Sequence, residues 1–330
     1  NKRQLTKLGT EFSIFEPTMT GLKKSILDAT QPIRTHFELE NYHFFWEQGQ
    51  GPEYKVKKKS YLLTDEKIIE SNTSLYRPKT KKGDPRYLLP YIKSCVDHFG
   101  PDMKNHSHYY KSGRTFTFQE HSHDFSNDIG SITEGLQSLL TSKIIPNNRE
   151  INDILLNGGS LLDYGCGTAK LLTKASNIYP KALFYGLDID KNGIKIANDR
   201  IKKENKLDSI KIYDGNSKIL PDTTNLDIVT MVEVFHEISK DIRPIVLKNI
   251  HKYLKQDGIL LILDETMPNK ENLTDKNAQL AVLTQYNEMT WGNEVPTQLE
   301  QDTVLTNAGF SLPERKTIGG LFTLLTSKKL

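Results

Sequence analysis

The sequence predicts an α/β fold over residues 149–330, a doubly wound and mostly parallel sheet with an antiparallel last strand, preceded by an α+β domain over residues 1–148. Three observations carry that expectation. Apolar runs ending at Leu162, and spanning Ala182–Asp188, Leu226–Val232 and Gly258–Asp264, alternate with helix-compatible stretches, as strand–helix–strand units require. The first run leads through Asp163 into Gly165 and Gly167, a tight turn before a helix. The chain closes on two strand-like stretches, Leu312–Ile318 and Leu321–Ser327, around Gly319 and Gly320.

Taken in order, Thr18–Asp28 has helical apolar spacing at positions 19, 22, 26 and 27. Residues 36–46 concentrate aromatic and histidine side chains, and Val56–Leu63 and Ile68–Tyr76 read as short strands. Arg77–Arg86 is a loop by its Pro, Gly and charge content. Tyr87–Phe99 carries a helical stripe of Leu88, Leu89, Ile92, Cys95, Val96 and Phe99. His106–Tyr110 and Thr115–Phe118 flank a four-residue turn and predict a hairpin, across which His106, His108, His121 and His123 could meet. Ser131, with Glu134 three residues on, predicts a capped helix over Ser131–Leu140. Pro146–Asn148 is then a loop, where the domain boundary is placed. Beyond the fourth run, Asp275–Thr290 is a helical insert broken at Trp291–Pro296. Thr297, with Glu300, opens a further helix that ends at Gly309.

The turn after Asp163 is where chemistry is expected. Glycine at 165 and 167 lets a ligand approach the main chain, and the first helical turn offers free N–H groups. Asp188 follows Gly165 by 23 residues, close to the offset at which a carboxylate accepts two hydrogen bonds from a ribose diol. Cys166 suits the space between the glycines as a small side chain; a nucleophilic thiol is the alternative reading.

Residues from about 155 to 330 resemble the class I S-adenosylmethionine-dependent methyltransferases. The resemblance rests on Asp163-Tyr-Gly-Cys-Gly-Thr168, on Tyr185-Gly-Leu-Asp-Ile-Asp190, and on Leu254-Lys-Gln-Asp-Gly258 before a strand. It implies a Rossmann-like fold and S-adenosyl-L-methionine as cofactor. It places Asp163, Gly165, Cys166 and Gly167 along the methionine part, Asp188 on the ribose, and Ile189 on the adenine face. Asp214 or Asn216 would lie near the adenine amino group, although the family's usual Gly-Asp order is reversed there. After the fourth strand it brings Glu233, His236 and Glu237 to the methyl-transfer site, with Glu233 also a cofactor contact. His236 is the residue suited to proton transfer near neutrality. Asp264 and Glu265, at the end of the fifth strand, and Tyr286, Trp291 and Glu294, in the insert, are substrate-side candidates. In-line transfer to an O or N nucleophile of a small molecule, with little or no metal help, is the implied reaction.

Composition bounds the alternatives. The 330 residues are 36% hydrophobic, with no apolar run long enough to span a membrane and no signal-like start. Cys95 and Cys166 have no metal spacing, and with few cysteines a cytoplasmic setting is expected. Net charge is +3, with 16 Lys/Arg against 11 Asp/Glu in residues 1–90 and 28 against 30 in the rest. The basic surplus, with Lys57–Lys59 and Lys79–Lys82 as clusters, leaves a nucleic-acid partner, or a protein or RNA acceptor, as alternatives. Glu53 and Lys55 would fit a nuclease-like module in the N-terminal part. Glu233–His236 lacks the Asn/Asp-Pro-Pro-Tyr/Phe tetrad of DNA base methyltransferases.

Overall fold

The structure, a computed structural model, describes residues 89–217, 225–273 and 278–330, together with the main chain of five short strands nearer the N-terminus. The chain divides into two compact units, Asn1–Ser112 and Gly113–Leu330.

In the first unit, β1 (Arg34–Leu39), β2 (Tyr42–Glu47) and β3 (Tyr54–Val56) form an antiparallel sheet. A separate pair, β4 (Tyr61–Thr64) and β5 (Lys67–Glu70), overlaps the strands expected over 56–63 and 68–76, of which residues 57–60 and 71–76 lie outside the described residues. The Thr18–Asp28 helix, the two basic clusters and the loop at 77–86 lie outside the described residues, as do the side chains of Glu53 and Lys55. Helix α1 (Leu89–Ser94) runs through a wider turn at Cys95–Phe99 into α2 (Gly100–Ser112).

Helix α2 overturns the expected hairpin. His106 and Tyr110, four residues apart on one helix face, bring their rings to 5.7 Å, and Ser112 Oγ donates to the His108 carbonyl at 2.8 Å. Pro101 sits in the first turn, where its missing N–H is tolerated. With no second strand at 115–118, the four-histidine arrangement across a hairpin does not form.

The second unit opens with α3 (His123–Ile132), α4 (Glu134–Leu139) and α5 (Arg149–Leu156). Its first cap is Ser122, whose Oγ accepts from Phe125 N at 3.3 Å. Ser131, expected to cap a helix over Ser131–Leu140, lies inside α3 and donates to the Asn127 carbonyl. Leu140, Ile145, Ile151 and Leu155 share one buried cluster with the sheet, so the segment before residue 149 packs with the sheet's own unit.

Strands and helices then alternate: β6 (Ser160–Tyr164), α6 (Lys170–Ile178), β7 (Leu183–Asp188), α7 (Lys191–Lys203), β8 (Ile210–Asp214), β9 (Leu226–Val232), α8 (Arg243–Tyr253) and β10 (Leu254–Asp264). After them come α9 (Gln279–Trp291), α10 (Gln298–Asn307) and the hairpin β11 (Glu314–Ile318) and β12 (Phe322–Lys328). The sheet order is β11-β12-β10-β9-β6-β7-β8, with β12 antiparallel to both neighbours and β6–β10 mutually parallel. The chain reverses its winding direction between β6 and β9, the position where open parallel sheets bind ligands beyond their carboxyl ends.

Strand alternation builds two cores, one on each face. Leu161, Ile228, Ile259, Leu261 and Leu263 face the helices α5, α6 and α7. Leu162, Val229, Met231, Leu260 and Ile262 face α8 and α10. The expected cap of α10 is present: Thr297 Oγ1 accepts from Glu300 N at 3.3 Å, and Glu300 Oε2 accepts from Thr297 N at 2.9 Å. Gly309 follows at φ +95°, a conformation that suits glycine.

Candidate functional site

The turn after β6 is held open by its own main chain. Gly165 and Gly167 take φ of +78° and +48°. Gly165 N and Cys166 N both donate to the Leu187 carbonyl at 2.7 and 3.1 Å, which folds the turn against β7. A Cβ on Gly165 would come within 2.5 Å of Val234 Cγ2, whereas one on Gly167 would meet nothing within 4 Å. The space over Gly167 is therefore open, at the carboxyl edge of the sheet and at the reversal point.

Asp188 faces this bend. Its Oδ2 accepts from Gly167 N at 2.6 Å and its Oδ1 from Asp190 N at 2.8 Å. Burial raises its carboxyl pKa, and the two N–H groups oppose that rise. Beside it, Ile189 is 47% exposed. Asn216 Nδ2 donates to the Ile189 carbonyl at 2.8 Å, and Asp214 Oδ1 closes the turn by accepting from Asn216 N at 2.9 Å. The structure thus gathers Gly165, Gly167, Asp188, Ile189, Asp214 and Asn216 along one edge.

Two residues of the expected set point elsewhere. Asp163 is buried, accepts from Thr230 Oγ1 at 2.8 Å, and is pushed by burial to a pKa of about 8. Cys166 packs into the core where a Cβ on Gly186 would touch its Sγ at 2.7 Å. Burial holds its thiol pKa well above the ordinary value, so the thiolate needed for a nucleophile is disfavoured. Only the main chain of Cys166 borders the turn.

A second group of side chains meets at the ends of β9 and β10. Glu233 leaves β9 at φ +57°, a strained conformation for a glutamate, and its N–H donates to the Leu263 carbonyl at 2.9 Å. Asp264 organises the turn that follows. Its Oδ2 accepts from Phe235 N at 2.7 Å and His236 N at 3.2 Å, and its Oδ1 lies 2.5 Å from His236 Nδ1. Glu265 Oε2 stands 3.3 Å from that Nδ1, and Glu288 Oε1 stands 3.9 Å from His236 Nε2. Glu265 Oε1 accepts from Thr284 Oγ1 at 2.9 Å, and Glu288 Oε2 accepts from Asn293 Nδ2 at 3.2 Å. Five carboxylates, those of Glu233, Glu237, Asp264, Glu265 and Glu288, therefore surround one imidazole.

Their electrostatics follow from crowding. Burial is the strongest single influence on His236 and opposes its charge, yet the carboxylates of Asp264, Glu265 and Glu288 together hold its pKa well above the ordinary value. Burial and mutual repulsion push Glu233 and Glu237 well above the carboxylate range. Glu288 is raised by burial to about 7.

Glu233, His236 and Glu237 thus come together in one group. Asp264 and Glu265 do not face solvent; at 1% and 2% exposure they are part of the same buried group. Tyr286 is half-buried in the same helix. Trp291 is buried against Phe118, His121 and Phe125, with ring centroids 5.5–6.1 Å away. Glu288 and Thr284 were missed. Their signal is present in the sequence: Thr284, Glu288 and Trp291 recur at spacings of four and three residues, which places polar groups on the inward stripe of α9.

A family model described as a methyltransferase domain matches residues 155–309. The demethylmenaquinone methyltransferase of Geobacillus stearothermophilus is 31% identical over 113 residues, covering 34% of this chain and 47% of that protein. That of Listeria welshimeri is 28% identical over 160 residues, covering 47% of this chain and 66% of that protein. The chain therefore spans between about half and two thirds of the length of these curated relatives. Human N-acetylserotonin methyltransferase, solved in complex with S-adenosylmethionine, superposes with a TM-score of 0.60 over 99% of this chain and 93% of that chain. At 14% identity that likeness is one of fold. Residues 155–309, a little under half of the chain, thus match a methyltransferase domain, and the surrounding fold is the one seen in structures of S-adenosylmethionine-dependent methyltransferases.

Proposed function

We propose that this chain transfers a methyl group from S-adenosylmethionine to an oxygen or nitrogen nucleophile of a small molecule. One observation carries the reading: the open space over Gly167, walled by a bare main-chain bend and by Asp188 one strand over. The cofactor supplies an electrophilic methyl on a sulfonium, with its own leaving group attached. Gly165 and Gly167 keep side chains out of its path. Asp188 offers carboxylate oxygens to the ribose hydroxyls, while Ile189 and the Asp214–Asn216 turn border the adenine side. Asp163, tied to Thr230, supports the strand end from below.

The acceptor lies over the ends of β9 and β10. Glu233, His236 and Glu237 face it as the proton-handling groups, with Asp264 fixing the orientation of the imidazole. Tyr286 and Trp291, on α9, bound the acceptor side. The relatives are named for demethylmenaquinone and N-acetylserotonin, and both names support a small-molecule acceptor.

Asp188→Ala tests the reading. Removing a carboxylate that serves buried polar partners is expected to weaken S-adenosylhomocysteine binding by about 1–3 kcal/mol, roughly 5- to 150-fold, by calorimetry. Unchanged affinity removes Asp188 from the site and the reading with it. Transfer of labelled methyl to hydroxylated or amino small molecules, set against protein and RNA, decides the acceptor class.

A further inference from the structure

The group at the ends of β9 and β10 holds more negative charge than a proton-handling dyad needs. Among the described residues no lysine or arginine forms an ion pair with Glu233, Glu237, Asp264, Glu265 or Glu288; their only cationic neighbour in an ion pair is His236. Arg243, whose charge reaches Asp264, donates its hydrogen bonds to the main-chain carbonyls of His236 and Glu294 and forms no ion pair with the cluster. Taking charged carboxylates out of water costs several kcal/mol per ion, so a buried cluster of this kind is neutralised either by protons held on its raised carboxyls or by a bound cation.

Two oxygens mark where the compensation is missing. Glu265 Oε2 belongs to a residue 2% exposed and accepts no hydrogen bond. Glu233 Oε1 is also buried and without a hydrogen-bond partner. Both residues belong to the group in which Glu233, His236, Asp264 and Glu265 each offer one ligand atom within 4.8 Å of the others. Two ligand atoms on one small divalent cation, each about 2.1 Å from it, stand at most about 4.2 Å apart, so side-chain adjustments that bring the widest pairs together by about 0.6 Å or more convert the group into a coordination shell.

We propose that Glu233, Asp264, Glu265 and His236 Nδ1 form a binding site for a divalent cation. Three carboxylates and one imidazole, with no thiolate, select a cation of the Mn(II) class over a soft metal. In this arrangement the cation takes the place of the proton between His236 Nδ1 and Asp264. The other ring nitrogen, Nε2, then carries its hydrogen toward Glu288, now 3.9 Å away, which is the outer-shell partner that metal-bound histidines commonly use. The site departs from the metal-free transfer expected from the sequence. Its role rests on the methyltransfer reading: a cation here stands where an acceptor oxygen would lie and can hold it. Its existence does not depend on that reading.

The test uses the full chain and Mn(II) alone, without cofactor or acceptor, followed by electron paramagnetic resonance of the free ion and by calorimetry. The expected result is one Mn(II) per chain, with affinity lowered by at least about tenfold in Glu265→Gln and in His236→Gln, and unchanged in Glu271→Gln on the surface. Competition by Mg(II) and Zn(II) ranks the site's preference. Should either variant fail to fold, wild-type stoichiometry and the broadening of the His236 ring resonances by bound Mn(II) still decide the matter. Absence of stoichiometric binding to the wild-type chain at millimolar Mn(II), or equal binding by folded Glu265→Gln, overturns the proposal. Loss of S-adenosylhomocysteine binding in Asp188→Ala, measured separately, reports on the methyltransfer reading and not on the cation.

Discussion

Gly167→Ala separates the two roles of the glycine turn. The residue sits at φ +48°, where an alanine costs about 1–2 kcal/mol relative to glycine. Alanine also restricts the unfolded chain, which returns about 0.4–1 kcal/mol, so a net loss near 1 kcal/mol is expected. In a unit of this size that shifts the unfolding midpoint by about 2–4 °C. No steric clash adds to it, because the new Cβ meets nothing within 4 Å. The same open space is where the cofactor is expected, and a methyl group placed there crowds it at a cost of about 1–3 kcal/mol, roughly 5- to 150-fold in affinity. Gly158→Ala is the control. It has φ +90° and a nearest contact of 3.4 Å to the Lys181 carbonyl, away from the turn. Thermal unfolding and S-adenosylhomocysteine calorimetry on both variants form the assay. Similar destabilisation in the two, with binding lost only in Gly167→Ala, is the expected pattern. Wild-type affinity in Gly167→Ala would refute the placement of the cofactor over this turn.

Two further outcomes can be checked without ligand. Asp163 keeps its proton in the folded chain up to about pH 8, while the unfolded chain gives it up near the ordinary carboxyl value of 3.8. Its contribution to stability therefore declines as pH rises from about 4 to about 8 and is level above that. Asp163→Asn preserves an acceptor for Thr230 and is expected to flatten this part of the stability–pH curve in urea titrations; an unaltered curve would show that Asp163 ionises freely in the fold. Thr297→Ala removes the Oγ1 half of the α10 capping box, leaving the Thr297 N–H to Glu300, and is expected to cost about 1 kcal/mol of unfolding free energy, measured by urea denaturation at neutral pH.

The sheet and the glycine bend beside Asp188 were legible because they are local. Gly165, Gly167 and Asp188 act through strand ends and one bend, and strand alternation alone sorts Leu161 from Leu162 onto opposite faces. The acidic cluster was legible only in part. Glu233 and His236 lie next to a recognised strand, and Asp264 and Glu265 end another, but nothing local says that the two strand ends meet or that the acids turn inward. That follows from β9 and β10 pairing in register, Met231 against Ile262 and Val232 against Leu263. The misread hairpin at 106–118 has a different origin. His106 to Tyr110 reads as a strand by its aromatic content, whereas the preceding helical turns carry the chain onward and set His106 over Tyr110.

The segment before α3 and the helix α9 are joined by one main-chain bond, Phe116 N to the Thr290 carbonyl at 2.8 Å, and by the packing of Trp291 among Phe118, His121 and Phe125. Helix α9 also carries Thr284 and Glu288 into the cluster. The strip before α3 and the acid-bearing helix are thus coupled: displacing either would disturb Glu288, Thr284 and the aromatic packing together, so the charge of the cluster would change with the seating of the strip.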